Sequence, residues 1–374
     1  MARFDVVICG LGAMGSAAAW QLARRGRRVL GLERLAPGHD RGSSHGRTRI
    51  IRLGYFEHPS YVPLVRHAYA LWRELEGRCR RRLLHVTGIA EIGSRGGELV
   101  RGTLASMELH GLEHEVLSAP EAMRRFPVFT LPPDYLAVLQ PDGGFVEVEP
   151  SITASLALAA AAGAQIRSNE AVRAIEPRAG FVRIVTERSV VEAEQAVVAA
   201  GPWTSSLLPH LPVPLRATRQ VAGWFDCADA HLFAADRFPV FMLQSRHGLH
   251  YGIPPHGGAG LKIARHHHRD ESVDPDEHDR TVGAEDEALI RAIAEHIPGA
   301  NGRLIAAGTC LYTMTPDGDF VIDRLPGSPQ IIVVSACSGH GFKFAPVIGE
   351  IVAELVTGGS TRHDISRFRL DRFR

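Results

Sequence analysis

Residues 4–33 constrain the chain most. Phe4-Asp5-Val6-Val7-Ile8-Cys9 is a short apolar run of the kind that forms a buried parallel strand. It leads directly into Gly10-Leu11-Gly12-Ala13-Met14-Gly15, a G-x-G-x-x-G turn. Residues 16–25 read as a helix closed by Gly26, and Val29-Leu30-Gly31-Leu32 as a second strand ending on Glu33. In such a turn Gly10 permits the tight bend, Gly12 lets the backbone approach a pyrophosphate, and Gly15 lets helix and strand pack closely. Free N–H groups at the helix start face the phosphate charge. Glu33 falls about 20 residues past the glycines, where an acid accepts hydrogen bonds from a ribose hydroxyl. An ordinary strand–helix unit accounts for the glycines but leaves Glu33 without a role. The unit is therefore read as the seat of an adenine dinucleotide.

A chain of 374 residues accommodates two domains with a sizeable core. Its formal net charge of +1 gives no electrostatic case for nucleic acid or an anionic membrane surface. Met1-Ala2-Arg3 runs straight into the first strand, so no signal peptide is expected. The alanine-rich stretch 152–164 is too short to span a bilayer, and Arg372-Phe373-Arg374 matches no anchor or peroxisomal address. The five cysteines (Cys9, Cys79, Cys227, Cys310, Cys337) are odd in number and lack paired spacing. That argues against a disulfide framework and for a reducing, cytoplasmic setting. Of 42 basic residues only Lys262 and Lys343 are lysine; the other 40 are arginine. A lysine kept in such a chain is a candidate for chemistry that needs a compact ammonium with a tunable pKa.

Residues 37–52 form a polar, Gly/Ser-rich loop, too long for a mere connector. Gly42-Ser43-Ser44 offers backbone donors, and His45, Arg47, Arg49 and Arg52 bring basic groups to the cofactor side. Residues 61–78 carry Val65, Ala68, Tyr69, Trp72 and Leu75 at helical spacing, a core stripe. Ser118 and Glu121 frame a capping box, and residues 151–162 read as an alanine-rich helix. Residues 196–201 are another buried strand ending in Gly201, where the dinucleotide unit resumes. Tyr251-Gly252-Ile253 and Leu261-Lys262-Ile263 pattern as a hairpin. His266-His267-His268 invites a metal reading, but adjacent histidines diverge and no acid or cysteine completes a coordination sphere. No metal is assigned; the triplet is read as an exposed loop in which His266 alone can face inward. Pro316-Asp317-Gly318 suits a type I turn. Residues 331–334 are the last buried strand, opening into Ser338-Gly339-His340-Gly341-Phe342-Lys343 and a helix from about Pro346. This second glycine-rich turn aims another positive helix start at the ligand.

With these pieces assembled, the whole chain resembles the monomeric sarcosine oxidase and N-methyltryptophan oxidase family of flavin amine oxidases. The resemblance rests on Gly10 to Gly15, Ser44-His45-Gly46-Arg47-Thr48-Arg49-Ile50-Ile51-Arg52, Tyr251-Gly252-Ile253-Pro254, Gly260-Leu261-Lys262, the run from Cys310 to Asp317, and the run from Ser338 to Lys343. It implies an α/β fold: a Rossmann-like FAD-binding domain (1–84, 145–215, 315–374) and a discontinuous α+β substrate domain on a mixed or antiparallel sheet (85–144, 216–314). It implies FAD tethered through a thioether at Cys310, with His45 and Arg49 against the flavin. Arg52 and Lys343 match the pair that holds a substrate carboxylate, and Lys262 matches the oxygen-activating lysine. Tyr251, His266 and Tyr312 match substrate-pocket positions. The remaining cofactor contacts expected are Ala13, Met14, Arg34, Ser43, Ser44, Val172, Gly201, Gly339, Gly341 and Phe342. Two departures stand out: Arg47 replaces the acid usual in the family, and residues 368–373 look more like the tryptophan branch than the sarcosine branch.

The function so implied is oxidation of a secondary N-methyl amino acid by a monomeric enzyme, with dioxygen as acceptor. An arginine–lysine pair suits an amino-acid carboxylate, and cations beside a flavin stabilise the charge it gains on reduction. A dehydrogenase with another acceptor, an oxidase of a cyclic amino acid such as pipecolate, and a non-enzymatic dinucleotide sensor are the alternatives. Residue by residue, Cys310 also suits a small buried hydrophobe, and Arg49 and Arg52 also suit partners for acids.

Overall fold

The computed structural model describes residues 3–373. Its first sheet is built on five parallel strands in the order Gln165–Arg167, Val29–Leu32, Arg3–Cys9, Val190–Val198 and Ser328–Ser335. Val6, Val7, Ile8 and Cys9 are fully buried, as a strand covered on both faces requires. Strand Val190–Val198 splits its outer edge: its first half pairs with the antiparallel Phe181–Thr186, its second half with Ser328–Ser335. Val172–Arg178 and Val321–Leu325 complete this eight-stranded sheet.

The helix after the glycine turn, Ala13–Ala23, packs between helices Val148–Ala161 and Ala345–Gly358. Its small residues allow that proximity: a Cβ on Gly349 would come within 2.6 Å of Ala17 backbone carbon. Helix Val62–Cys79 buries Val65, Ala68, Trp72 and Leu75, so its apolar stripe is core. Trp72 also donates its indole N–H to the Lys343 carbonyl at 2.9 Å, which ties this core helix to the far turn.

The second sheet also has eight strands, Leu304–Met314, Arg216–Phe225, Leu261–Arg265, Gly248–Ile253, Val240–Ser245, Ile89–Ser94, Tyr135–Gln140 and Glu115–Ser118 in spatial order. All neighbours are antiparallel except the fifth and sixth, Val240–Ser245 and Ile89–Ser94. A small third sheet, Thr48–Ile51, Gly144–Glu147 and Leu84–Val86, stands apart from both. Ser118 and Glu121 form the expected capping box at the start of Ala119–Arg125.

Two expectations change. The loop 37–52 is irregular only to Arg47; Thr48–Ile51 is a strand, because its Arg-Ile-Ile alternation finds a partner in Gly144–Glu147. The histidine triplet is not an exposed loop. His268 is 2% exposed and hydrogen-bonds Asp286 at 2.9 Å, and Arg219 holds the same carboxylate. A distant ion pair therefore draws the turn inward. Among the described residues no helix is long and apolar enough to cross a membrane.

Candidate active site

One cavity of about 520 Å³ runs from the first glycine turn to the second sheet. At one end it is lined by Gly10, Gly12, Ala13 and Met14, with Glu33 and Arg34 at the end of the second strand. Ser43, Ser44, Val172 and Gly201 form its flanks, and Gly339, Gly341, Phe342 and Lys343 come from the late turn. Arg49, Arg52, Tyr251, His266 and Tyr312 line the other end. Segments more than 300 residues apart in sequence thus share one chamber because parallel strands deliver both glycine turns to the same, carboxyl end of the sheet.

The turn has the shape a pyrophosphate needs. Gly10 adopts φ +93°, and a Cβ there would lie 2.6 Å from the Ala199 carbonyl oxygen. At Gly15, which does not line the cavity, a Cβ would lie 1.9 Å from the Gly10 oxygen, so this glycine serves helix–strand packing. A Cβ on Gly12 would meet only the Ser44 side chain within 4 Å, which leaves its approach to the cavity open. Glu33 is 4% exposed; its Oε2 accepts the Leu11 N–H at 2.9 Å and its Oε1 accepts the Leu35 N–H at 3.2 Å. Despite the cost of burial, those bonds and His39 hold its pKa below the usual carboxylate value. Each ionised oxygen retains acceptor capacity for a hydroxyl. Ser43 Oγ and Ser335 Oγ are buried, line the same cavity and have no hydrogen-bond partner among the described residues. Orphaned polar atoms in a cleft with a glycine cradle and an anchored acid fit a dinucleotide.

Arg34 stacks over Trp203 at 4.7 Å and pairs with Asp276 at 2.9 Å. Trp203 and Asp276 line this end too. Neither was marked by the sequence, although Trp203 follows the Gly201-Pro202 that ends a buried strand.

At the other end the loop wraps its cations in carbonyls. Arg49 donates to Ser43 O and Thr48 O, each at 3.0 Å. Lys262, 2% exposed, donates to Gly46 O and Thr48 O, each at 2.8 Å, and lies 5.4 Å over the Trp224 ring. Burial and then the neighbouring Arg49 charge drive its pKa well below that of a free lysine. The third ammonium proton has no protein acceptor among the described residues. Neither Lys262 nor His45 is a lining residue. Burial, reinforced by Arg49, pushes the His45 pKa down to about 4, and its Nε2 has no hydrogen-bond partner among the described residues.

Arg52 and Lys343 meet in a buried cluster with two acids. Arg52 donates to Gly54 O at 2.5 Å and to both Glu57 oxygens at 2.6 and 2.8 Å, and lies 3.6 Å from Glu91. Burial works against the Glu57 charge, but Arg52 overrides it and holds the pKa at about 2. Glu91 is completely buried; burial raises it to about 7 while Arg52 pulls the other way. Lys343 donates to His340 O at 2.7 Å, and burial together with Arg52 lowers it to about 7. His340 donates from Nε2 to Gly318 O at 3.1 Å, so its Nδ1 accepts the Tyr55 hydroxyl at 2.7 Å. Glu57 and His340 line the cavity. Glu91 was legible as an acid inside the apolar run Ile89-Ala90-Glu91-Ile92; Glu57 carried no local signal.

His266 Nδ1 lies 3.3 Å from the Tyr312 hydroxyl, and Gly339, at φ +80°, makes room for both rings. A Cβ on Gly339 would lie 2.6 Å from Tyr312 and 2.7 Å from His266. Cys310 is not a lining residue, but it precedes Tyr312 by two on Leu304–Met314 and so shares its face. Burial raises its pKa, against the pull of Arg49 and Lys262. A second thiol, Cys337, does line the cavity, and no motif marks it out from the other cysteines.

The chain matches the FAD dependent oxidoreductase family over residues 5–355. It is 40% identical over 376 residues to the monomeric sarcosine oxidase of Bacillus sp. (strain NS-129), covering 99% of this chain and 97% of that one. It is 35% identical over 374 residues to the N-methyl-L-tryptophan oxidase of Yersinia pestis (strain Pestoides F), covering 99% of this chain and 100% of that one. Among solved structures, the open form of NikD, an unusual amino acid oxidase essential for nikkomycin biosynthesis, is similar with a TM-score of 0.86. That match has 30% identity and covers 99% of this chain and 98% of that one. With a match reaching from the first strand into the last long helix, the chain belongs to the FAD dependent oxidoreductase family, in the group of monomeric sarcosine oxidases and N-methyl-L-tryptophan oxidases.

Proposed function

We propose that the protein is an FAD-dependent oxidase of secondary N-methyl amino acids, acting as a monomer in the cytoplasm. The observation that carries this reading is the single cavity that joins the dinucleotide turn to a buried arginine–lysine pair. The chemistry FAD supplies when bound is two-electron oxidation of the amine to an imine and return of the electrons to dioxygen, giving hydrogen peroxide. The imine then hydrolyses to formaldehyde and the parent amino acid.

The protein's part is binding, orientation and charge. Gly10, Gly12, Ala13 and the helix start hold the pyrophosphate, and Glu33 the ribose. Arg52 and Lys343 hold the substrate carboxylate; Arg52 then exchanges part of its Glu57 contact for the ligand, a like-for-like trade of carboxylates. Tyr251, His266 and Tyr312 wall the amine side. Arg49 brings fixed positive charge to the reacting end, and Lys262 beside it adds a second charge whenever its amine is protonated. We further propose a thioether from Cys310 to the cofactor, supported by its place on the Tyr312 face and by Arg49 and Lys262, whose pull toward the thiolate opposes the burial that raises its pKa. The domain division at 1–84, 145–215 and 315–374 against 85–144 and 216–314 is supported by the strands of the two large sheets, which fall wholly on one side or the other.

A peroxide-coupled screen of N-methyl and cyclic amino acids tests the reading, with sarcosine methyl ester beside sarcosine. Turnover of the acid and failure of the ester are expected. Equal turnover of the two removes Arg52 and Lys343 from the site.

A further inference from the structure

Away from the cavity, two histidines and one acid converge on a point. His85 lies in Leu84–Val86, Glu147 ends Gly144–Glu147, and His256 sits in the turn between Gly248–Ile253 and Leu261–Arg265. His85 Nε2 and His256 Nε2 each stand 3.0 Å from the same atom, Glu147 Oε1. Aromatic packing fixes the rings: His85 stacks on Phe145 at 4.7 Å, and His256 meets His85 and Phe145 edge-on at 4.5 and 4.9 Å. Arg81 takes the other oxygen, Glu147 Oε2, at 2.8 Å and leaves Oε1 to the histidines.

We propose that His85, Glu147 and His256 form a site for a divalent metal of the zinc class, with water in the fourth position. Two imidazole nitrogens and one carboxylate oxygen are a donor set that zinc accepts at about 2.0–2.2 Å. Tetrahedral ligands at that bond length lie roughly 3.4 Å apart. Histidine–carboxylate separations of 3.0 Å therefore need to open by only a few tenths of an ångström. The metal replaces two N–H···O bonds, each imidazole turning its Nε2 lone pair inward and carrying its proton on Nδ1. The His256 side chain is 32% exposed, which gives an entry path and room for the water. Arg81 orients the carboxylate as an outer-shell partner does.

A second cluster, His67, Glu350 and His363, has similar spacing but a resident cation. Arg362 lies 2.6 Å from Glu350 Oε1, the oxygen both histidines share, and 3.3 Å from His67 Nε2. It serves as the internal comparison. In the first cluster a bound ion fastens the small sheet to the turn that enters the Lys262 strand. Glu147 pairs in register with Thr48, whose carbonyl accepts from Lys262.

The test is calorimetric titration of Zn²⁺ alone into the full-length holoenzyme after chelator dialysis, alongside His85→Ala, His256→Ala and His363→Ala. One equivalent is expected to bind the wild type, with at least a tenfold loss of affinity in His85→Ala and His256→Ala and none in His363→Ala. Zn²⁺ should also raise the Tm of the wild type and leave that of His256→Ala unchanged. His256 stands in a solvent-facing turn, so that variant keeps the test decisive even if His85→Ala does not fold. No binding to the wild type at millimolar Zn²⁺, or binding that His256→Ala leaves intact, overturns the proposal.

Discussion

Replacing Lys262 with methionine separates oxygen chemistry from substrate chemistry. The substitution keeps the side-chain length and removes the charge. Its structural cost is small, because both carbonyls that Lys262 holds keep another donor. Gly46 O still accepts the Thr48 N–H at 2.9 Å, and Thr48 O still accepts Arg49 at 3.0 Å. Loss of two shared hydrogen bonds amounts to about 1–2 kcal/mol, and removing a desolvated ammonium offsets part of it. The catalytic cost is larger. A unit charge about 5 Å from the negative charge developing on dioxygen, at an effective dielectric constant of about 20, stabilises it by about 3 kcal/mol. That is roughly 10²-fold in rate, the low end of what one preorganised donor contributes. Arg49 remains nearby, so this is an upper range. Rapid mixing reads the two half-reactions: anaerobic bleaching with substrate, then reoxidation in air-saturated buffer. Lys262→Met should reoxidise about 10²-fold more slowly and bleach near the wild-type rate, with Lys262→Arg recovering part of the loss because a planar guanidinium cannot occupy the same carbonyl cradle. Normal reoxidation with collapsed bleaching removes Lys262 from oxygen chemistry and moves it to the substrate pocket.

Acid-precipitated wild type and Cys337→Ser should stay yellow while Cys310→Ser releases its flavin; colour retained in Cys310→Ser and lost in Cys337→Ser transfers the attachment to the lining thiol. Arg52→Ala should raise KM by at least tenfold, from loss of about 1.5–3 kcal/mol of charge-assisted bonding. It should also lower Tm, since Glu57 and Glu91 lose their shared cation; an unchanged KM and Tm contradicts both roles. Binding of a non-oxidisable carboxylate such as acetate, followed by flavin difference spectra, should weaken as pH rises through about 7. Lys343, whose pKa is depressed to about 7, is charged only below that value, and Glu91, raised to about 7, turns negative above it. Both changes disfavour an anion at higher pH, and affinity that is flat or grows from pH 6 to 9 refutes the assignment.

The dinucleotide half of the fold was legible because its constraints are local. Gly10, Gly15 and Glu33 stand at spacings that parallel strand and helix geometry dictate, and each occupies the place its spacing demands. The core stripe of Val62–Cys79 was readable for the same reason. Long-range pairing was not readable. Thr48–Ile51 becomes a strand only because Gly144–Glu147 arrives beside it, and His268 is buried only because Asp286 and Arg219 wait for it. In the buried cluster Arg52 and Lys343 were named, but not the acids Glu57 and Glu91 that pair with Arg52. Glu57 lies five residues past a motif that ends at Arg52, and nothing in one sequence says that it folds back. The asymmetry is physical: periodicity reports which face of an element is buried, whereas electrostatic partners depend on tertiary contacts.

One anaerobic titration decides whether the protein is a flavin oxidase of N-methyl amino acids. The purified yellow protein is mixed with sarcosine or N-methyl-L-tryptophan without oxygen, and its visible absorbance is followed before and after admission of air. Complete bleaching by one of these substrates is expected, then recovery of the colour with one equivalent of hydrogen peroxide per flavin. Colour that persists anaerobically with every N-methyl and cyclic amino acid, or recovery in air without peroxide, contradicts it.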